Sequence, residues 1–182
     1  MPQAICIGEL LIDFVSTATD VTLAECSGFA KAPGGAPANV AVGLAKLGVD
    51  SGFIGKVGDD PFGDFLRGTL EQVHVDTSFL ISGTGCRTTL AFVATRSDGK
   101  KDIAFYRNPG ADMLLTPDEI DETYVRSAEL FHYGSVSLSH PPSRDATLKA
   151  IRCAKASGAL MSYDPNLRLM LWDNPDDAKH WI

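Results

Sequence analysis

The sequence predicts an α/β fold: a mostly parallel sheet flanked by helices on both faces, with a small β-sheet lid spliced into it. Three observations carry this. Strand-length apolar runs such as "AICIGELLIDFV", "SGFIGKVG" and "ALMSYD" alternate with helix-patterned stretches, the rhythm of parallel βα units. The first of these runs begins continuously apolar, as a strand covered on both faces requires. Between residues 88 and 107 the rhythm breaks into two β-rich runs around Ser-Asp-Gly-Lys, which is a hairpin by its turn chemistry.

Taken in order, residues 4–15 read as the first strand, ending with Asp13 set among Ile12, Phe14 and Val15. A carboxylate in such company needs a partner. The stretch "TLAECSGFAK" (22–31) lies where a plain α/β unit needs only a short loop, so it is expected to add a strand or two to the lid, whose segments then run over about 14–32 and 88–107. "APGGAPANVAVGLAKLG" (32–48) opens a helix: Pro37 suits the first turn, the stripe Val40, Leu44 and Leu47 faces a core, and Gly48 is placed to stop it. "SGFIGKVG" (51–58) is the next strand. It leads into a helix with Asp60 as N-cap, Pro61 behind it, and Phe62, Phe65, Leu66, Leu70 and Val73 on one face. Beyond the hairpin, helices are expected near 116–128 and 141–158 and strands near 129–137 and 159–164, with Gly158 ending the later helix. The last residues, "NPDDAKHWI", read as the start of another helix.

The 182 residues suffice for one domain, and 45% apolar residues is ordinary for a globular core. A net charge of −7, with no run of five or more Lys or Arg, argues against nucleic-acid or anionic-membrane partners, which need basic patches. The four cysteines are scattered with no CxxC pair, so neither a zinc site nor a disulfide framework is expected, and no metal ligands are assigned. Cytoplasmic location is the expectation, since no signal-type n- and h-region and no run of about 18 apolar residues occurs. The sequence also has no Walker loop, no GxGxxG, no HExxH and no GxSxG.

Ligands of open parallel sheets bind beyond the carboxyl ends of the strands, so the polar and glycine residues that follow strands are the ones to inspect. Four clusters qualify: Asp13; Gly34, Gly35 and Asn39; the hairpin's end at Arg107 and Asn108; and Asp164, Asn166 and Arg168. Carboxylates and amides each hold two hydroxyls, which suits a polyol. Each cluster also has a plain reading: Asp13 as a strand-end cap, "DPN" as an ordinary turn, Arg107 as a solvated loop charge, Gly-Gly as a tight turn. His132 reads as a core histidine and is left out of the site.

The run "GGAPANVAVGLAKLG" with Gly58 beyond it resembles the first signature of the ribokinase-like (PfkB-type) carbohydrate kinases. Along the whole chain, "GELLIDFV", "FIGKVGDDPFG", "FYRNPGADMLL", "FHYGSVSL" and "SYDPNLRLMLW" are similar to the ATP-dependent fructokinases, most closely those of plants. The resemblance implies transfer of phosphate from ATP, with Mg²⁺, to the 6-hydroxyl of fructose in a cleft under the lid, and a place in carbohydrate and starch metabolism. It implies that Asp13, Gly34, Gly35 and Asn39 hold the sugar, the double glycine letting backbone and sugar touch. Phe105 and Arg107 lie near the substrate from the lid, and Asp164, Asn166 and Arg168 lie where sugar meets phosphate. Met170 stands where related sequences usually have proline. A homodimer through the lid is a further implication. Rival expectations are another sugar, such as ribose or a keto-acid sugar, and a non-catalytic partner of intact kinase subunits. The family's catalytic Asp belongs to a glycine-rich, helix-opening anion hole beyond the matched stretch, and 15 of the 17 glycines here fall by residue 110. The chain is therefore expected to be the N-terminal part of such a kinase, inactive by itself.

Overall fold

The computed structural model describes residues 1–182. Five parallel strands form the main sheet: β1 (Ala4–Ile7), β4 (Ser51–Gly58), β5 (Leu80–Gly83), β8 (Leu130–Gly134) and β9 (Leu160–Asp164), in the order β5-β4-β1-β8-β9. A second sheet, ordered β3-β2-β6-β7, is built from β2 (Leu11–Ser16), β3 (Phe29–Gly34), β6 (Leu90–Thr95) and β7 (Lys101–Tyr106). This is the lid. Its β2–β3 and β6–β7 pairs are antiparallel, and β2 and β6 run parallel.

Alternation along β1 sends its side chains to two cores. Ile5 and Ile7 join Ile54, Phe131 and the buried faces of α3 (Glu122–Arg126) and α4 (Ser143–Ala156), while Cys6 joins Phe53, Ala38 and Ala41 of α1 (Ala36–Lys46), and Leu66 and Leu70 of α2 (Pro61–Gln72). Helices thus cover both faces, as near-continuous apolar strands demand. A last helix, α5 (Pro175–Trp181), packs Ala178 beside Trp172 and Leu138. No helix is long and apolar enough to cross a membrane.

Several expectations are corrected. The run 4–15 is two strands in two sheets, broken at residues 8–10; burial is unbroken from residue 4 to residue 12, so hydropathy shows no seam between them. From 22–31 only the end is strand, and β3 continues to Gly34. The lid sheet therefore spans 11–16, 29–34, 90–95 and 101–106. Helix α1 buries Pro37, Ala38 and Ala41 most deeply, because small side chains let it lie close to β1; Val40 and Leu44 of the expected stripe pack half-buried against the same core, and only Leu47, 82% exposed, leaves it. The 116–128 helix is a 3-10 turn at 117–119 followed by α3, restarted when Asp121 accepts the Tyr124 N–H at 2.7 Å. Strand β8 ends at Gly134, and β5 was not expected at all.

Candidate sugar site

β1 lies between β4 and β8; the chain fills the sheet outward through β4 to β5 on one side and later returns to add β8 and β9 on the other, so the strand order reverses at β1 and a crevice opens beyond its carboxyl end. The lid stands over that crevice. In the lid register Asp13 pairs with Ala32 and Ala91, and Ala91 with Phe105, which sets Asp13 and Phe105 in one row on the face turned to the crevice. The same alternation puts Leu11 on that face.

A cavity of about 170 Å³ results, lined by Glu9, Leu11, Asp13, Gly35, Ala36, Asn39, Phe105, Arg107, Val136, Asn166, Arg168 and Leu171. It adjoins a second of about 350 Å³, the two sharing Phe105, Arg107 and Leu171. Seven of the nine sequence-expected residues line the first: Asp13, Gly35, Asn39, Phe105, Arg107, Asn166 and Arg168. Neither the Asp13 carboxylate nor the Asn39 amide is held by another group of the chain, so both are open to a ligand. Burial pushes the Asp13 carboxyl above its usual range, and Lys101 opposes this.

Gly34 and Asp164 do not line this cavity. A side chain at Gly34 would lie 2.4 Å from Asp13 Oδ2, so this glycine makes room for the Asp13 carboxylate. At Gly35 φ is 112°, and a Cβ would come within 2.2 Å of the Glu9 carbonyl oxygen. Gly35 is thus required by the chain's own packing, while Gly34 gives the Asp13 carboxylate its room, and Gly35 also lines the cavity. The exposed Asp164 carboxylate accepts the Asn166 N–H at 3.0 Å, holding the turn that presents Asn166 and Arg168.

Arg107 is not a solvated loop charge but is 8% exposed, with Nε donating to Asp112 Oδ2 at 2.7 Å and the terminal nitrogens donating to Ser139 Oγ and the Val136 carbonyl, each at 3.4 Å. Asp112 also accepts from Thr89 Oγ1. About two of the guanidinium's five N–H groups stay unused. His132 is the core residue expected: it is buried, paired with Ser162 Oγ at 2.9 Å, and burial lowers its pKa although Asp164 opposes this.

Glu9 was missed. It lies between β1 and β2, 4% exposed, its Oε1 accepting the Ala36 N–H at 2.9 Å and its Oε2 unpartnered. Burial pushes its carboxyl up to about 7; hydrogen bonds from its own backbone and from Ala36 lower it, Asp112 raises it and Arg107 lowers it. A lone carboxylate inside an apolar run was the available signal, the one that drew attention to Asp13.

A family model described as pfkB family carbohydrate kinase matches residues 1–182. The chain belongs to the pfkB family of carbohydrate kinases. "Probable fructokinase-4" of Arabidopsis thaliana is 55% identical over 175 residues, covering 96% of this chain and 54% of that relative. Among solved structures, the fructokinase of Xylella fastidiosa with bound ATP is 36% identical with a TM-score of 0.85, covering 96% of this chain and 55% of that one. The Halothermothrix orenii fructokinase is 31% identical with a TM-score of 0.90, covering 98% and 62%. The fold is therefore ribokinase-like, and the chain spans about half the length of the curated relatives it matches. This pfkB-family chain thus has relatives named fructokinase, and one of its structural neighbours, the Xylella fastidiosa fructokinase, holds ATP.

Proposed function

We propose that the protein phosphorylates the 6-hydroxyl of fructose with ATP and Mg²⁺, and that these residues form its sugar-binding half. The observation that carries this is that two groups engaged by nothing else in the chain, the Asp13 carboxylate and the Asn39 amide, line one crevice. Asp13 accepts from two hydroxyls, and Asn39 both accepts and donates. Phe105 supplies an apolar wall for the sugar's carbon face, while Asn166 and Arg168 meet the end nearest the phosphate. Charge supports a neutral sugar over a keto-acid sugar: Asp112 neutralises Arg107, so Asp13 and Glu9 stand against Arg168. The relatives named fructokinase favour fructose over ribose.

The groups that would hold ATP and Mg²⁺ are proposed to lie largely outside these residues. No three of the chain's His, Cys, Asp and Glu residues converge on a point where a cation could sit. No catalytic base is assigned here. Asp164 is turned to its own loop, and the proton acceptor is proposed to lie outside these residues, leaving the 182-residue chain inactive alone.

Two further parts of the proposal are a cytoplasmic setting and a homodimer through the lid. The second is supported by the lid's outer face, where Phe29, Phe92 and Tyr106 cluster with ring centroids 5.2 Å apart and Tyr106 is 68% exposed. A substrate panel in the complete protein tests the central reading. ATP-dependent turnover of fructose in preference to ribose and to a keto-acid sugar is expected; preference for either competitor would replace fructose with it.

A further inference from the structure

Helix α1 begins at Ala36 with no side-chain cap of its own, since its N-cap is Gly35, and no acidic residue stands in its first turn. Four N–H groups at such an end lack intrahelical partners. Glu9, from the break between β1 and β2, reaches across and takes the Ala36 N–H at 2.9 Å. The Gly35 carbonyl accepts the Asn39 N–H at 2.9 Å, so the turn that Glu9 holds is the turn that presents Asn39 to the cavity. On the other side, Glu9 is within electrostatic reach of the buried Arg107–Asp112 pair.

A buried carboxyl with one oxygen unpartnered is a poor choice for stability, because a glutamine would accept the same N–H without a charge in a dry place. Its presence calls for another reason. We propose that Glu9 is a positioning residue of the sugar site, a caps-in-trans carboxylate that holds the first turn of α1, and hence Asn39, where it lines the cavity shared with Arg107. The inference rests on the sugar-kinase reading and names a residue that acts through Ala36 and Asn39 without touching the sugar.

The ionised form is the positioning form. A carboxylate makes a charge-assisted bond to Ala36, is favoured at the positive end of a helix and draws on the Arg107 guanidinium. Of the charged groups around it, Arg107 favours ionisation and Asp112 opposes it. The start of α1 contributes N–H groups alone, and Asp13 and Arg168 line the same cavity. Since burial places the Glu9 carboxyl at about 7, the ionised fraction rises across the neutral range.

Calorimetric titration of the complete protein with fructose, without ATP, at pH 6 and pH 8 tests this. The wild type is expected to bind up to about tenfold more tightly at pH 8. Glu9→Gln keeps an oxygen for Ala36 and is expected to lose that gain; Asp13 titrates in both proteins, so the difference between them isolates Glu9. An equal pH gain in both overturns the proposal. A second measurement serves if Glu9→Gln does not fold or if no sugar binds, which would sink the sugar reading by itself. In the wild type, the Ala36 and Asn39 amide resonances should shift together with a midpoint near pH 7, and invariance of both across pH 6 to 8 overturns the positioning role whatever the ligand.

Discussion

At the scale of the residue, the site separates groups that wait for a ligand from groups already spent on the chain. Asp13 and Asn39 belong to the first kind, so removing either side chain should damage sugar recognition and leave ATP recognition nearly untouched. For Asp13→Ala, the loss of a hydrogen bond to a charged group, about 1.5–3 kcal/mol, corresponds to a fall in fructose kcat/KM of roughly ten- to a hundredfold. Steady-state kinetics with each substrate varied in turn reads this directly. Glu9 belongs to the second kind and carries a stability signature. Its carboxyl titrates near 7 when folded and near 4.5 when unfolded, so the folded state holds the proton more tightly. The stabilisation this gives is complete below about pH 4.5 and is lost as pH rises through about 7. Denaturant unfolding should accordingly find that Glu9→Gln improves relative to wild type by about 3 kcal/mol between pH 4.5 and pH 8. The polar groups following strands were legible because the sheet's geometry says where to look. Glu9 was not, because it sits where two strands meet and reads as the interior of one, and the Asp112 partner of Arg107 was not, because a pairing across a loop leaves no periodic trace.

At the scale of the element, the termini of α1 and α2 tie the lid to the main sheet. Asp60 accepts from Phe62 and Gly63 at the start of α2 and also from the Thr88 N–H at 2.9 Å and Oγ1 at 2.8 Å, just before β6. Burial alone would raise its pKa, but the bonds from Thr88, Gly63 and Phe62 outweigh it and hold the carboxyl below the usual range. Asp60→Ala should therefore cost about 1–2 kcal/mol as a lost cap and loosen the lid's base, seen as lower unfolding stability with faster amide exchange in β6. Gly35→Ala is expected to be harsher, by at least about 2 kcal/mol, since both its φ of 112° and the Glu9 carbonyl 2.2 Å from the added carbon oppose it. Existence and type of the long elements followed from their pattern: α2 was announced by Asp60, Pro61 and its apolar face, and α4 by Gly158. Strand β5 escaped because four residues with a polar and a glycine member carry no usable period, and the deepest part of α1's buried face, Ala38 and Ala41, was not singled out because alanines give little contrast.

At the scale of the molecule, the parallel sheet and the added lid were readable from the βα rhythm and its interruption, whereas the order of the strands was not, since that is decided by which faces the helices cover. The sheet ends at β9, whose outer side is unpaired, and Leu160, Leu169 and Met170 are 67%, 53% and 62% exposed nearby. Such an edge is a template for further pairing, so the 182-residue chain expressed alone is expected to aggregate or to be captured by a partner, and to show no ATP turnover with fructose. Light scattering and a coupled kinase assay check both; a monodisperse chain whose turnover is abolished by Asp164→Asn would instead make Asp164 the base. The central claim is that the crevice between β1, α1 and the lid is a sugar site. A crystal structure of the complete protein with fructose tests it most directly. Fructose hydroxyls are expected at about 2.6–3.2 Å from both the Asp13 carboxylate and the Asn39 amide, with Phe105 against the sugar. Fructose bound elsewhere, with Asp13 and Asn39 still open to solvent, would contradict it.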